Sequence, residues 1–420
     1  MLKEIYLESY RHRDNSCFFV NFFIDCLQAM VVTTLYPNKK YDDIYENYNE
    51  REPFPDTKYE TNKEYKTYGF YRFLEDEERN ENNPFHDAFK KMQAHMRFIN
   101  TKSAHTNELG QQKQFELETI KFEPKYKSEN KPGKGKHIIY LLAANTHYAS
   151  FYNDISEEVN ETGATVHTFS HPGTAASQGK VKEYNDLLNA SISMVYNLIN
   201  NQKIAPEDII LQGYCFSSSI AYDTKRFFKK NHNINFQVIL NSGFTSFTDA
   251  IYDEISNYFC FFPDLIKKLI NSILQITGWF ICIGKSINGC NDYFKGITPF
   301  EMNLIHENDK TITNSCLSKV IENNIETLDS NQDIYFLNKN NRLSILPKYI
   351  ENSDDETIPE QKKEKISDKK FNSHFTKLYK LGVNGKNTYA SLINKFLLLD
   401  KKVSNTRNSI SSKRHYKSLR

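Results

Sequence analysis

Apolar residues in the middle of this chain follow two alternating rhythms. Short, nearly continuous apolar runs are separated by longer segments with helical spacing. The runs HIIYLLAA (137–144), TVHTF (165–169), IILQG (209–213) and NFQVILNSG (235–243) predict strands buried on both faces. Between them, SFYNDISEEVNETG predicts a helix ended by Gly163. In EYNDLLNASISMVYNLINN, residues Leu187, Leu188, Ile192, Val195, Leu198 and Ile199 recur at helical intervals. Upstream, FELETIKF (115–122) alternates apolar with polar, as a strand does, and the turn-rich KSENKPGKGK follows it. Strand and helix in alternation predict an α/β fold: a mostly parallel sheet with helices on both faces. In such sheets chemistry gathers on loops beyond the carboxyl ends of the strands.

The flanks have a different texture. Residues 1–113 are charged and Tyr-rich, and predict an N-terminal accessory region of helical and irregular stretches. FHDAFKKMQAHMRFI (85–99) has a helical pattern. CFFVNFFIDCLQAMVVTTLY (17–36) is apolar enough to raise the question of a membrane span. Asn21, Asp25 and Gln28 near its middle favour a buried helix. Residues 114–400 form the predicted main domain, with two insertions. One, 255–295, contains FCFFPDLIKKLINSILQITGWF, in which Leu265, Ile266, Leu269, Ile270, Ile273 and Leu274 share one helical face. That face fits core packing, or a lid over an acyl pocket that touches a membrane surface. The other, 340–371, is a charged stretch expected to be solvated. The tail 401–420 has seven basic residues and no acidic one, and is expected to be disordered, with anionic lipid as a candidate contact.

The totals narrow the class. The 420 residues are 39% apolar and 25% charged, which supports a substantial core. A net charge of +2 gives no global signal for nucleic acid. Seven cysteines, none in C-x-x-C spacing, argue against a disulfide framework or a zinc site and for a reducing compartment. No signal peptide is visible at the N-terminus, so a cytoplasmic location in the producing cell is expected.

The candidate chemistry is in IILQGYCFSSSIA (209–221). A nucleophile elbow needs a strand, a very tight turn and a helix, with small residues two before and two after the nucleophile. Gly213 and Ser217 satisfy that spacing around Cys215, and the helix N-terminus favours a thiolate there. Ser217 is the alternative nucleophile. It would leave Cys215 at a position that needs a small residue and push the turn into the helix. A buried structural cysteine is the plainer alternative.

This segment resembles the strand–elbow–helix of the α/β-hydrolase superfamily, with Cys in place of the commoner Ser. The wider text, from FSHPGTAASQGKVKEYNDLLNASISMVYNLI through NSGFTSF, is similar to an uncharacterised branch found among secreted effectors of intracellular bacteria. The resemblance covers roughly residues 115–398. It implies an acid after a late strand and a histidine after the last one. Asp309, following FEMNLIH, takes the acid role, with Glu307 as the alternative; His306 falls inside the strand and reads as packed. DIYFLNKN (333–340) reads as the last strand, and His374 is the first histidine after it. The oxyanion hole would come from the backbone N–H groups of Phe216 and Asn145, where the family usually has His-Gly. His147 and His171 are loop residues near the expected cleft. The implied activity is hydrolysis of an ester or thioester, lipid-like substrates included, on a small-molecule acyl substrate. No metal or organic cofactor is implied. The alternative is an inactive hydrolase fold kept as a binding or scaffold protein inside a host cell.

Overall fold

The computed structural model of the chain describes residues 1–7, 90–106, 112–125, 130–143, 146, 148–175, 177–181 and 184–243. Beyond those it describes residue 272, the segments 301–306, 333–337, 343–345, 382–383 and 386–387, and residues 393, 394 and 397. The expected lid apart from residue 272, the charged stretch beyond residue 345, the apolar segment 17–36 and the basic tail lie outside the described residues.

Among the described residues, a sheet of nine strands organises the fold. In chain order these are β1 (Met92–Thr106), β2 (Gln112–Pro124), β3 (His137–Leu141), β4 (Thr165–Phe169), β5 (Ile209–Tyr214), β6 (Gln237–Asn241), β7 (Glu301–His306), β8 (Asp333–Leu337) and β9 (Leu343–Ile345). Their spatial order is β1-β2-β4-β3-β5-β6-β7-β8-β9. The pairs from β4 through β3, β5, β6 and β7 to β8 are parallel, and the edge pairs β1–β2, β2–β4 and β8–β9 are antiparallel. A mostly parallel sheet with crossover helices on both faces is the α/β-hydrolase arrangement that the resemblance implies.

Three helices clothe the described part of the sheet: α1 (Tyr152–Thr162), α2 (Tyr184–Tyr196) and α3 (Phe216–His232). Gly163 ends α1 in the left-handed region at φ 71°, where its N–H reaches the Val159 carbonyl. Ile139, Leu141, Ile209, Leu211, Val238 and Leu240 face α2 and α3 in one core. The alternate residues serve the opposite face, where the Tyr152 ring of α1 meets Phe122 edge-on at 6.3 Å. Burial on both faces is the physical reason that β3, β5 and β6 read as unbroken apolar runs.

Every residue of α2 is buried. A helix enclosed all round must find partners for its polar side chains. Ser193 bonds Thr101 of β1, and Ser191 lies 2.8 Å from the Thr224 hydroxyl of α3. Tyr184 donates to Asp223 of α3 at 2.8 Å. Burial pushes the Asp223 carboxyl up to about 7, against the opposing pull of Tyr184. The last turn, Asn197–Asn201, widens into a π-helix.

Two expectations are corrected. The helical pattern at 85–99 gives way to strand from Met92 onward, so β1 falls inside residues 1–113 and pairs with β2 from Met92↔Pro124 to Lys102↔Gln114. Backbone pairing along that length outweighs a weak local preference for helix. Nor is β8 the last strand of the sheet. Leu343–Ile345, within the stretch expected to be solvated, returns antiparallel as β9.

Candidate functional site

β5 is the middle strand of the nine, and its carboxyl end delivers the candidate nucleophile. Cys215 follows Tyr214 with φ 55° and ψ −122°, and α3 starts at the next residue. This left-handed backbone is rare for a residue with a side chain, and holding it costs ~1–3 kcal/mol. Two main-chain hydrogen bonds and one side-chain hydroxyl hold it. The Cys215 N–H donates to Asn241 O of β6 at 2.8 Å, and the Ser218 N–H donates to Cys215 O at 3.0 Å. The Ser218 hydroxyl sits between Gly213 O at 3.0 Å and Asn241 O at 2.9 Å.

Tightness of the turn explains its small residues. A Cβ at Gly213 would lie 2.3 Å from Ser217 O and 2.5 Å from Ser218 Cα, so only glycine fits. Ser217 is fully buried, and its hydroxyl donates to Leu142 O at the end of β3. Cys215 is a free, half-buried thiol against the edge of the α2–α3 core. Aromatic rings flank the elbow. Tyr214 packs edge-on against Phe151 at 5.5 Å, and Phe216 against Tyr184 at 6.1 Å.

His171 sits deeper than a cleft-facing loop residue would. It is 2% exposed, and its Nε2 lies 3.3 Å from Leu142 O. Burial pushes its pKa down to about 4, so it is neutral at neutral pH and Nε2 carries the proton donated to that carbonyl. Leu142 O thus receives both Ser217 and His171. These two bonds fix the strand end from which the chain continues toward residue 145.

One buried carboxylate in this region escaped the sequence reading. Glu118 of β2 is fully buried and accepts hydrogen bonds from Tyr148 at 3.1 Å and Ser170 at 2.9 Å. Ser177 adds a bond from the Glu118 N–H at 3.0 Å and donates to Ser170 O at 2.7 Å. Glu118 therefore ties the loop after β3 to the loop after β4, both at the elbow end of the sheet. The signal was present: in FELETIKF, Glu118 shares a strand face with Ile120 and Phe122, where a carboxylate needs partners.

The structure brings Cys215, Phe216 and Ser217 together at the elbow. Asn145, His147, Glu307, Asp309 and His374 lie outside the described residues, and His306 is placed by its backbone alone, in β7. Among the described residues no cluster of three or more His, Cys, Asp or Glu could hold a metal ion, and no helix is long and apolar enough to cross a membrane.

No protein-family model matches the chain, and neither does any curated protein. Solved structures do resemble it. An alpha-beta hydrolase from Vibrio vulnificus is 17% identical over 58% of this chain and 73% of its own, with a TM-score of 0.38. An esterase of Pyrococcus furiosus is 15% identical over 57% of this chain and 80% of its own, with a TM-score of 0.37. An esterase of Pyrobaculum calidifontis is 10% identical over 65% of this chain and 82% of its own, with a TM-score of 0.40.

Proposed function

We propose that the chain is a hydrolase of esters or thioesters, lipid-like acyl compounds included, working through a triad of Cys215, His374 and Asp309. The observation that carries this reading is the backbone at Cys215, a strained non-glycine residue between a central strand and the 17-residue helix α3. A cysteine that only fills space needs no such conformation. The buried Ser217 hydroxyl, already donating to Leu142 O, supports Cys215 over Ser217 as the nucleophile.

In this mechanism the Cys215 sulfur attacks the acyl carbon while the amides of Phe216 and Asn145 hold the oxyanion. His374 takes the thiol proton and passes it to the leaving group. It then removes a proton from water, which attacks the thioester and frees the acid and the thiol. Asp309 keeps the His374 imidazole oriented and stabilises its cationic form. The apolar insertion at 255–295 would cover the acyl chain, and it and the basic tail are the candidate contacts with a membrane surface.

The test is turnover of an activated acyl ester by the full-length chain, together with labelling by a thiol-directed acyl probe. Turnover should fall by about 10³-fold or more in Cys215→Ala and in His374→Ala, and survive in Ser217→Ala. A folded chain that is inert to every acyl and thiol probe would sink the enzyme reading. The fold would then stand as a binding module, as an effector acting inside a host cell would use it.

A further inference from the structure

Residues 1–7 belong to no strand, yet they are gripped at three points by the outward side of α2 and its π-turn. The Asn200 side-chain amide takes both main-chain groups of Leu2: Leu2 N–H donates to Oδ1 at 2.7 Å, and Nδ2 donates to Leu2 O at 3.0 Å. Asn189 does the same to Leu7, at 2.9 Å and 3.0 Å. Between them, the Tyr196 hydroxyl accepts from the Ile5 N–H at 3.0 Å and lies 3.3 Å from Ile5 O.

The spacing fits a ruler. Asn189, Ser193, Tyr196 and Asn200 follow one another at helical intervals on one side of the helix. Eleven helical residues span roughly 16 Å. Leu2 to Leu7 cover roughly the same distance only when fully extended. The segment therefore runs antiparallel to the helix, stretched between two amide clamps.

The clamps read main chain, not side chain. Asparagine is a poor helix former, yet Asn189 is fully buried and Asn200 is 4% exposed within a helical run. Each amide presents a donor and an acceptor to the same residue of the segment. Selectivity falls to the apolar positions, since Leu2, Ile5, Tyr6 and Leu7 pack on the α2–α3 core while Lys3 and Glu4 are exposed.

We propose that this side of α2 is a peptide-binding groove for an extended oligopeptide, and that residues 1–7 are its resident ligand, docked as a separable peptide. The inference is independent of the chemistry at Cys215.

Hydrogen exchange on the full-length chain tests it first. The amides of Leu2, Ile5 and Leu7 should be protected, and Leu2→Pro with Leu7→Pro should speed exchange at Ile5 at least about tenfold. Those prolines remove two donors from the segment and leave α2 untouched. The second test adds labelled MLKEIYL peptide to a chain that begins at residue 8. Binding should be saturable, and should weaken at least about tenfold when the peptide is N-methylated at Leu2 and Leu7 or when the chain carries Asn189→Ala and Asn200→Ala. Exchange at Ile5 that is equal in the parent and the proline variant overturns the proposal. So does peptide binding indifferent to N-methylation. If the shortened chain does not fold, the labelled peptide is added instead to the full-length Leu2→Pro, Leu7→Pro variant, whose own segment is weakened; saturable binding there supports the proposal and no binding overturns it.

Discussion

At the carboxyl end of the parallel strands the chain bends through Cys215, and Ser217 and Ser218 turn their hydroxyls back onto main-chain carbonyls. At the amino end polar side chains stitch neighbouring strands instead. Lys136, just before β3, reaches Asp208 at 3.1 Å and Glu207 O at 2.8 Å, just before β5. His137 of β3 stacks on His167 of β4, with Nδ1 and Nε2 3.0 Å apart. A cavity of about 180 Å³ opens on that side, lined by Arg97, Lys121, His167, Asn197 and Gln202 and by no residue of the elbow. One end uses its hydrogen bonds to hold a strained residue that carries a thiol. The other uses them to hold strands in register. The difference teaches where to look for chemistry: a cavity alone points to the amino end, whereas the thiol-bearing Cys215, held at φ 55° and ψ −122° between strand and helix, points to the carboxyl end.

The sharpest way to break this contrast is at Gly213. Gly213→Ala places a methyl group 2.3 Å from Ser217 O, so the elbow must open, and a loss of ~3 kcal/mol or more is expected in urea unfolding. Cys215→Gly should do the reverse, gaining up to ~1 kcal/mol because glycine tolerates the positive φ, while abolishing thiol labelling. A Cys215→Gly variant less stable than the parent would show that the elbow stores no strain.

The amino end predicts a pH response of intermediate size. Burial lowers the pKa of His137 from 6.5 to about 4 and holds His167 well below its ordinary value. Their contribution to stability is therefore complete above pH ~6.5. It is lost as pH falls below that, for His137 toward about 4, because the unfolded chain takes up protons that the folded chain refuses. His171 at the elbow end adds to the same window. The urea midpoint should drop between pH 7 and 5, and His137→Gln with His167→Gln should flatten that drop while thiol labelling persists. An undiminished drop in that double variant would remove the pair from the account.

The smallest effect is expected at Ser217. Ser217→Ala loses one hydrogen bond to Leu142 O, about 1 kcal/mol, and should keep the thiol reactivity of Cys215. Labelling that vanishes in Ser217→Ala and persists in Cys215→Ala would move the proposed nucleophile two residues along the chain.

Much of this was legible in the order of residues alone. The strands β3, β4, β5 and β6 and the helices α1, α2 and α3 follow from local periodicity, and Gly213 and Ser217 follow from the crowding of a tight turn. What stayed hidden depends on partners far away in the chain. The helical rhythm of residues 85–99 gives way to strand from Met92 because β2 supplies a ladder for it. Glu118 stands on an apolar face because Tyr148 and Ser170, from two separate loops, meet its carboxylate. Asn189 and Asn200 sit inside a helix because residues 1–7, some 180 to 200 positions earlier, close over them. Local pattern records which faces a segment must bury. A buried polar group is explained only by the distant group that satisfies it, and only the tertiary structure brings the two together.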